Sequence, residues 1–157
     1  MNQNQITVKL QNLLQELLGY PVIKANQHSP APPYPYVTYT ITSPVVANGG
    51  TWGEYEDSVK RKPFKQVWSF TVQSNDDTQA LELAMRLYDY FDNRNEALDG
   101  ENIIVEGVSN INNRDNFITI QYEYRYGFDV TFVLMRESCN TQESEFVSLE
   151  INCEGGK

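Results

Sequence analysis

The chain has 157 residues, with 12 Lys and Arg against 21 Asp and Glu, a formal charge of −9 and a pI near 4.5. That length suits one domain burying roughly 70% of its unfolded surface, and leaves little for a second. The acid surplus excludes a protein that wraps nucleic acid through its phosphates, although such a surface keeps a chain soluble or lets DNA slide past without sticking.

No run of 18 apolar residues is available for a membrane span. The polar start Met1-Asn2-Gln3-Asn4-Gln5 lacks the basic and apolar regions of a signal peptide, so synthesis and first use in a cytoplasm are expected. From about Asn4 to Leu18, the residues Ile6, Leu10, Leu13, Leu14, Leu17 and Leu18 make one apolar helical stripe, stopped by Gly19 and Pro21. Val22-Ile23-Lys24 suits a short strand. Ala25 to Pro35 is a Pro-rich extended loop holding His28, the single histidine, which fits an exposed position. Tyr36 to Thr42 is a β-branched and aromatic strand, ended by Ser43-Pro44.

Val45 to Lys65 is mixed. Asn48-Gly49-Gly50 signals a turn, and Trp52, Tyr55 and Val59 are apolar in a polar setting. Lys60, Arg61, Lys62 and Lys65 hold a third of the positive charge. They form a loop that docks on an acidic neighbour, such as another copy of the chain, or a solvated hairpin tip, with nucleic-acid contact by the cluster a weaker third reading. Gln66 to Ser74 alternates as a strand. Asn75 to Thr78 supplies an N-cap for a second helix, Asp77 to about Asn93. Its expected buried stripe is Ala80, Leu81, Ala84, Leu87, Tyr88 and Phe91, with Leu83 and Met85 on the flanks. Glu96 to Gly100 is a connection, Ile103 to Val108 a strand, and Asn110 to Asn116 an Asn-rich turn.

Ile118 to Leu134 shows the longest alternation. Its even positions are apolar or aromatic, and its odd positions carry Glu123, Arg125 and Asp129 toward water or a partner. A hairpin and a single strand bent at Gly127 both fit; the missing two-residue turn signal favours the single strand. About 17 extended residues would span ~55 Å at ~3.3 Å each, beyond the ~15 Å radius of gyration of a domain this size. Such a strand projects or curls, and projection suits a protein that pairs with neighbours. A polar segment, Glu137 to Glu145, then leads to a short alternation at Phe146, Val147, Leu149 and Ile151, an edge strand or an arm laid on a neighbour. Cys139 and Cys153 are two free thiols or, after release from the cell, a disulfide; without paired His they make no zinc site.

The expected fold is α+β: an antiparallel or mixed sheet with two helices on one face, a long bent strand and an extended hairpin. The expected division is residues 1–136 as one domain and 137–157 as an extension. No Gly-rich phosphate loop, HExxH, CxxC or dinucleotide fingerprint is present, and one histidine is remote from any nucleophile signature. No cofactor, metal or catalytic residue is expected. Glu123, Arg125 and Asp129 fit cross-strand ion pairs better than an acid–base site.

Several segments resemble the tail terminator (neck) proteins of long-tailed bacteriophages. They are the N-terminal helix, the Pro-rich loop with Pro35-Tyr36-Val37-Thr38-Tyr39-Thr40-Ile41-Thr42-Ser43-Pro44, the strand Gln66 to Val72 feeding a helix with Ala80-Leu81 and Leu87-Tyr88, and Tyr122 to Val130. An Arg followed closely by Gly-Phe-Asp-Val is the most specific part. The resemblance spans residues 5 to 136 and implies a non-enzymatic virion subunit, assembled in the host cytoplasm into a ring, usually of six. Such a ring caps the tail tube, stops its polymerisation and meets the head-completion (connector) protein, with DNA only in transit through the lumen. It implies that Arg125 and Asp129 form ion pairs within or between subunits, and that Lys60, Arg61, Lys62 and Lys65 contact an adjacent ring or subunit. Two other classes compete: a monomeric module stacking a ligand or peptide on its aromatic strand and the Trp52/Tyr55 loop, and an enzyme using Glu123 and Asp129.

Overall fold

The computed structural model describes residues 2–46, 53–54, 59–93, 96–118 and 121–139. The order is α1 (Gln3–Leu18), β1 (Val22–Lys24), β2 (Tyr36–Val46), β3 (Gly53–Glu54), β4 (Val59–Ser74), α2 (Asp77–Asp92), α3 (Glu96–Gly100), β5 (Ile104–Val108), β6 (Asn112–Asn113), β7 (Asn116–Ile118) and β8 (Gln121–Cys139). The Asn48-Gly49-Gly50 turn, Trp52, Tyr55, Cys153 and the 146–151 alternation lie outside the described residues. The main sheet runs β1-β2-β4-β8-β5, with β1 parallel to β2 and the other neighbours antiparallel. The expected mixed α+β class is what forms.

α1 and α2 start on the chemistry of their flanks, and α1 also ends on it. Asn2 and Gln5 make a reciprocal capping box at α1: each side-chain oxygen accepts from the other's backbone N–H at 2.9 Å. Gly19 closes α1 at φ 73°, a left-handed position that glycine adopts without strain. Asp76 caps α2 by accepting from Thr78 N–H at 3.0 Å.

The core lies between the helices and one face of the sheet. Ile6, Leu10, Leu14 and Leu18 of α1 and Ala80, Leu83, Ala84, Leu87 and Phe91 of α2 are buried there. They meet Val37 and Tyr39 of β2, Trp68, Phe70 and Val72 of β4, and Phe128, Val130, Phe132 and Leu134 of β8. Aromatic rings join the layers: Phe70 stacks on Phe91 at 5.2 Å, and Phe132 stands edge-on to Trp68 at 5.9 Å. The buried Gln66 is satisfied on both ends. Its Nε2 donates to Pro44 O at 3.0 Å, and its Oε1 accepts from Trp68 Nε1 at 2.6 Å.

Four expectations are corrected. Leu83 is buried, and Leu81 is 38% exposed, because the two lie about 200° apart around the helix and only Leu83 follows Ala80, Ala84 and Leu87. β2 does not stop at Ser43-Pro44. It bulges between Ile41 and Val46 and carries Pro44 through. β4 begins at Val59 rather than Gln66, so the basic cluster sits in a strand and not a loop. Pro63 is tolerated because it falls between the last β2 pairing, Lys65↔Val46, and the β3 pairing, Arg61↔Gly53. Finally, β7 pairs Ile118 with Gln121, so the chain reverses there, and the long single strand starts at Gln121 and runs on to Cys139.

Tyr126 ties β8 to the start of α2: its hydroxyl donates to Asp77 Oδ1 at 2.6 Å. That hydrogen bond, more than the partial burial of the ring, pushes the phenol up to about 12 from its usual 10.0. The folded pKa exceeds the unfolded one, so the stabilisation is complete below pH 10 and is lost as pH rises from 10 to 12. Tyr126→Phe is expected to cost about 1 kcal/mol at pH 8, a Tm drop of about 2–4 °C. Thermal melts of both proteins should converge by pH 12; a gap independent of pH would assign the cost to packing.

Candidate interaction surface

The face of the sheet opposite the helices is polar, and its composition follows from register. The rows Tyr36–Gln73–Arg125, Thr38–Thr71–Gly127 and Thr40–Ser69–Asp129 cross β2, β4 and β8 side by side. These are the residues that alternate with the core rows, so one strand pattern builds both faces. Hydroxyls and amides dominate. Gln73 Nε2 donates to Thr38 Oγ1 at 3.0 Å.

Arg114 lies across the middle of this face. Its Nη1 donates to Ser69 Oγ at 2.8 Å and Thr71 Oγ1 at 2.9 Å, and its Nη2 meets Asp129 Oδ1 at 3.3 Å. Gly127 is the seat. A Cβ there would fall 2.5 Å from Phe70 O and 2.6 Å from Arg114 Nη1. The β4–β8 register runs through Gly127 without a shift, so room for a guanidinium, rather than a bulge, accounts for this glycine. Arg114 was missed from sequence. The available signal was a lone cation within the Asn-rich turn Asn110–Asn116.

A second arginine lies near the Tyr34–Tyr36 pair. Arg125 Nε donates to Glu123 Oε1 at 3.0 Å. Glu123 is only 4% exposed, so it does not face water as its alternation suggested. Tyr34 stacks on Tyr36 at 5.6 Å, and both phenols lie close enough to Glu123 to feel its charge. Burial first, and the Glu123 charge second, raise both phenols above their usual value. Glu123 and Asp129 are each engaged by their own arginine and lie about 20 Å apart along the strand, so they do not form an acid–base pair. His28 is exposed, as expected.

The basic cluster sits elsewhere, on the β4–β8 ribbon. Alternation places Lys60 and Lys62 on one face and Arg61 and Lys65 on the other. Arg61 pairs with Glu137 at 3.1 Å, and Lys65 with Glu106 at 2.6 Å. The structure therefore brings Arg125 and Asp129 onto one polar face and leaves the four basic residues along the ribbon. Among the described residues there is no group of three or more metal-ligating side chains, and no helix is long and apolar enough to cross a membrane.

A family model described as phage neck terminator protein matches residues 4–156. The chain belongs to that family, whose members are structural proteins of the virion neck. The match runs past residue 136, where the resemblance read from sequence ended. No curated protein matches the chain.

The Arg114 seat gives a direct test. Gly127→Ala is expected to destabilise by about 3 kcal/mol, because a Cβ must displace both a backbone carbonyl and the guanidinium. Adding Arg114→Ala should recover part of that loss, since the Phe70 carbonyl still blocks the site. Urea unfolding of the two variants and Arg114→Ala alone checks this; additive losses would refute the seat.

Proposed function

We propose, taking membership of the neck terminator family as the premise, that this chain is the subunit of a closed ring, of about six copies, that caps the finished tail tube. The ring stops tube polymerisation and presents a surface to the head-completion protein, and DNA crosses its lumen. The observation that carries this reading is the β4–β8 ribbon. β2 leaves β4 at Lys65 and β5 leaves β8 at Val133, yet β4 and β8 stay paired from Phe64↔Leu134 to Val59↔Cys139. A ribbon that outruns β2 and β5, flanked among the described strands only by the two-residue β3, is an element for reaching a neighbour, and a ring requires each copy to reach the next through a heterologous contact. The charge of −9 supports passage of DNA without adhesion. Lys60, Arg61, Lys62 and Lys65 on the ribbon, and Arg125 and Asp129 on the polar face, are the residues we assign to contacts between subunits or with adjacent rings.

Light scattering across a concentration series, alone and with the tail tube protein, tests the ring. The expected mass is about six times the 18.1 kDa of one chain. A monomer at every concentration, with and without tube, would overturn it. Lys60→Glu, Arg61→Glu and Lys62→Glu together should preserve the fold but weaken assembly by about tenfold or more, most strongly at low salt. Unchanged assembly would remove the ribbon's docking role.

A further inference from the structure

We propose that the cleft between the Pro-rich loop and the polar face of the sheet binds a carboxylate. The cleft has a volume of about 360 Å³, toward the small end of ligand sites at roughly 300–1,000 Å³. Its floor is Thr38 and Thr40 of β2 with Ser69, Thr71 and Gln73 of β4, and its rim comes from the loop beginning at Ala25. Ala25 N–H donates to Tyr39 O at 2.9 Å, which holds the start of that loop beside β2.

The floor is rich in donors, and Arg114 makes it so. Ser69 Oγ and Thr71 Oγ1 both accept from Arg114 Nη1, at 2.8 and 2.9 Å. A guanidinium only donates, so each hydroxyl keeps its own proton for another acceptor. Among the described residues no group takes either proton, and none accepts from the Thr40 hydroxyl or the Lys24 ammonium. Arg125 commits Nε to Glu123 at 3.0 Å and leaves both Nη groups to donate elsewhere. Charge narrows the ligand further. Lys24 and Arg125 line the cleft, and among the described residues no Asp or Glu does. Glu123 offsets Arg125, so Lys24 supplies one net positive charge. A carboxylate offers one negative charge and acceptor oxygens alone, which matches both the charge and the donors. A neutral amide would leave Lys24 unmatched, and a doubly charged phosphate would exceed it. The site lies on β2 and β4 away from the β4–β8 ribbon, so it stands or falls separately from the ring.

Saturation-transfer NMR of the full chain tests this with succinate, the peptide acetyl-Gly-Glu-Gly-amide and its neutral counterpart acetyl-Gly-Gln-Gly-amide. At least one acidic probe should bind, and the Gln peptide should bind about tenfold more weakly or not at all. Succinate alone would identify a free acid as the ligand; the Glu peptide would identify a side chain presented by another protein. Lys24→Glu should weaken the bound probe by about tenfold or more, and Thr40→Val by about threefold. Both positions are exposed, and thermal melts matching the parent protein confirm that each variant folds. Lys62→Glu makes the same charge change on the distant ribbon and should leave binding within about twofold at physiological salt. No binding of either acidic probe, equal binding of the Gln peptide, unchanged binding in Lys24→Glu, or an equal loss in Lys62→Glu would each overturn the proposal.

Discussion

Everything in this fold hangs on one uninterrupted antiparallel ladder. β4 and β8 pair from Val59↔Cys139 to Ser74↔Tyr124 without a register shift. Because side chains alternate, that ladder decides at once which residues are core and which are surface. Trp68, Phe70 and Val72 go under the helices with Phe128, Val130 and Phe132, and Ser69, Thr71 and Gln73 go to the other side with Arg125, Gly127 and Asp129. The remaining elements attach to this spine: β2 and β3 along β4, and β5, β6 and β7 along β8. A one-residue slip would bury the polar row and expose the aromatic core, so the ladder has one workable register.

The motif that carried the family resemblance has a physical meaning on this spine. Gly127 makes room for Arg114, Phe128 and Val130 enter the core, and Asp129 receives the guanidinium that Gly127 admits. The Asn-rich segment is then laced to β8. Arg114 N–H donates to Arg125 O at 2.7 Å, and Arg125 N–H donates to Asp115 Oδ1 at 2.8 Å. A short run of residues thus fixes a turn, a strand and a charged side chain together.

What the sequence displayed was local periodicity, and what it hid was contact across distance. α1, the α2 boundaries, β1 and the core row of β8 follow from residues close in sequence and were legible. The start of β4 was not, because Lys60 to Lys65 with Pro63 has a loop's composition, and only the β8 partner makes it a strand. Thr119 and Ile120 carry no turn signature, so the reversal before Gln121 was read as continuous strand. Arg114 was invisible as a surface organiser, because Ser69 and Thr71 are more than forty positions away. Glu123 looked exposed by parity, but Tyr34 of the Pro-rich loop and Tyr36 at the start of β2 lie beside it.

The pairing of the polar-face arginines redistributes the chain's charge. Arg114 with Asp129 and Arg125 with Glu123 leave that face close to neutral. On the opposite side, α2 presents exposed Asp77, Glu82, Asp89 and Asp92 against Arg86. These groups therefore contribute a dipole moment running through the sheet, with its negative pole at α2. In any closed ring of identical subunits the components perpendicular to the symmetry axis cancel and those along it add. The tilt of the sheet to that axis would then decide whether the two ends of the ring look electrically alike to an approaching polyanion.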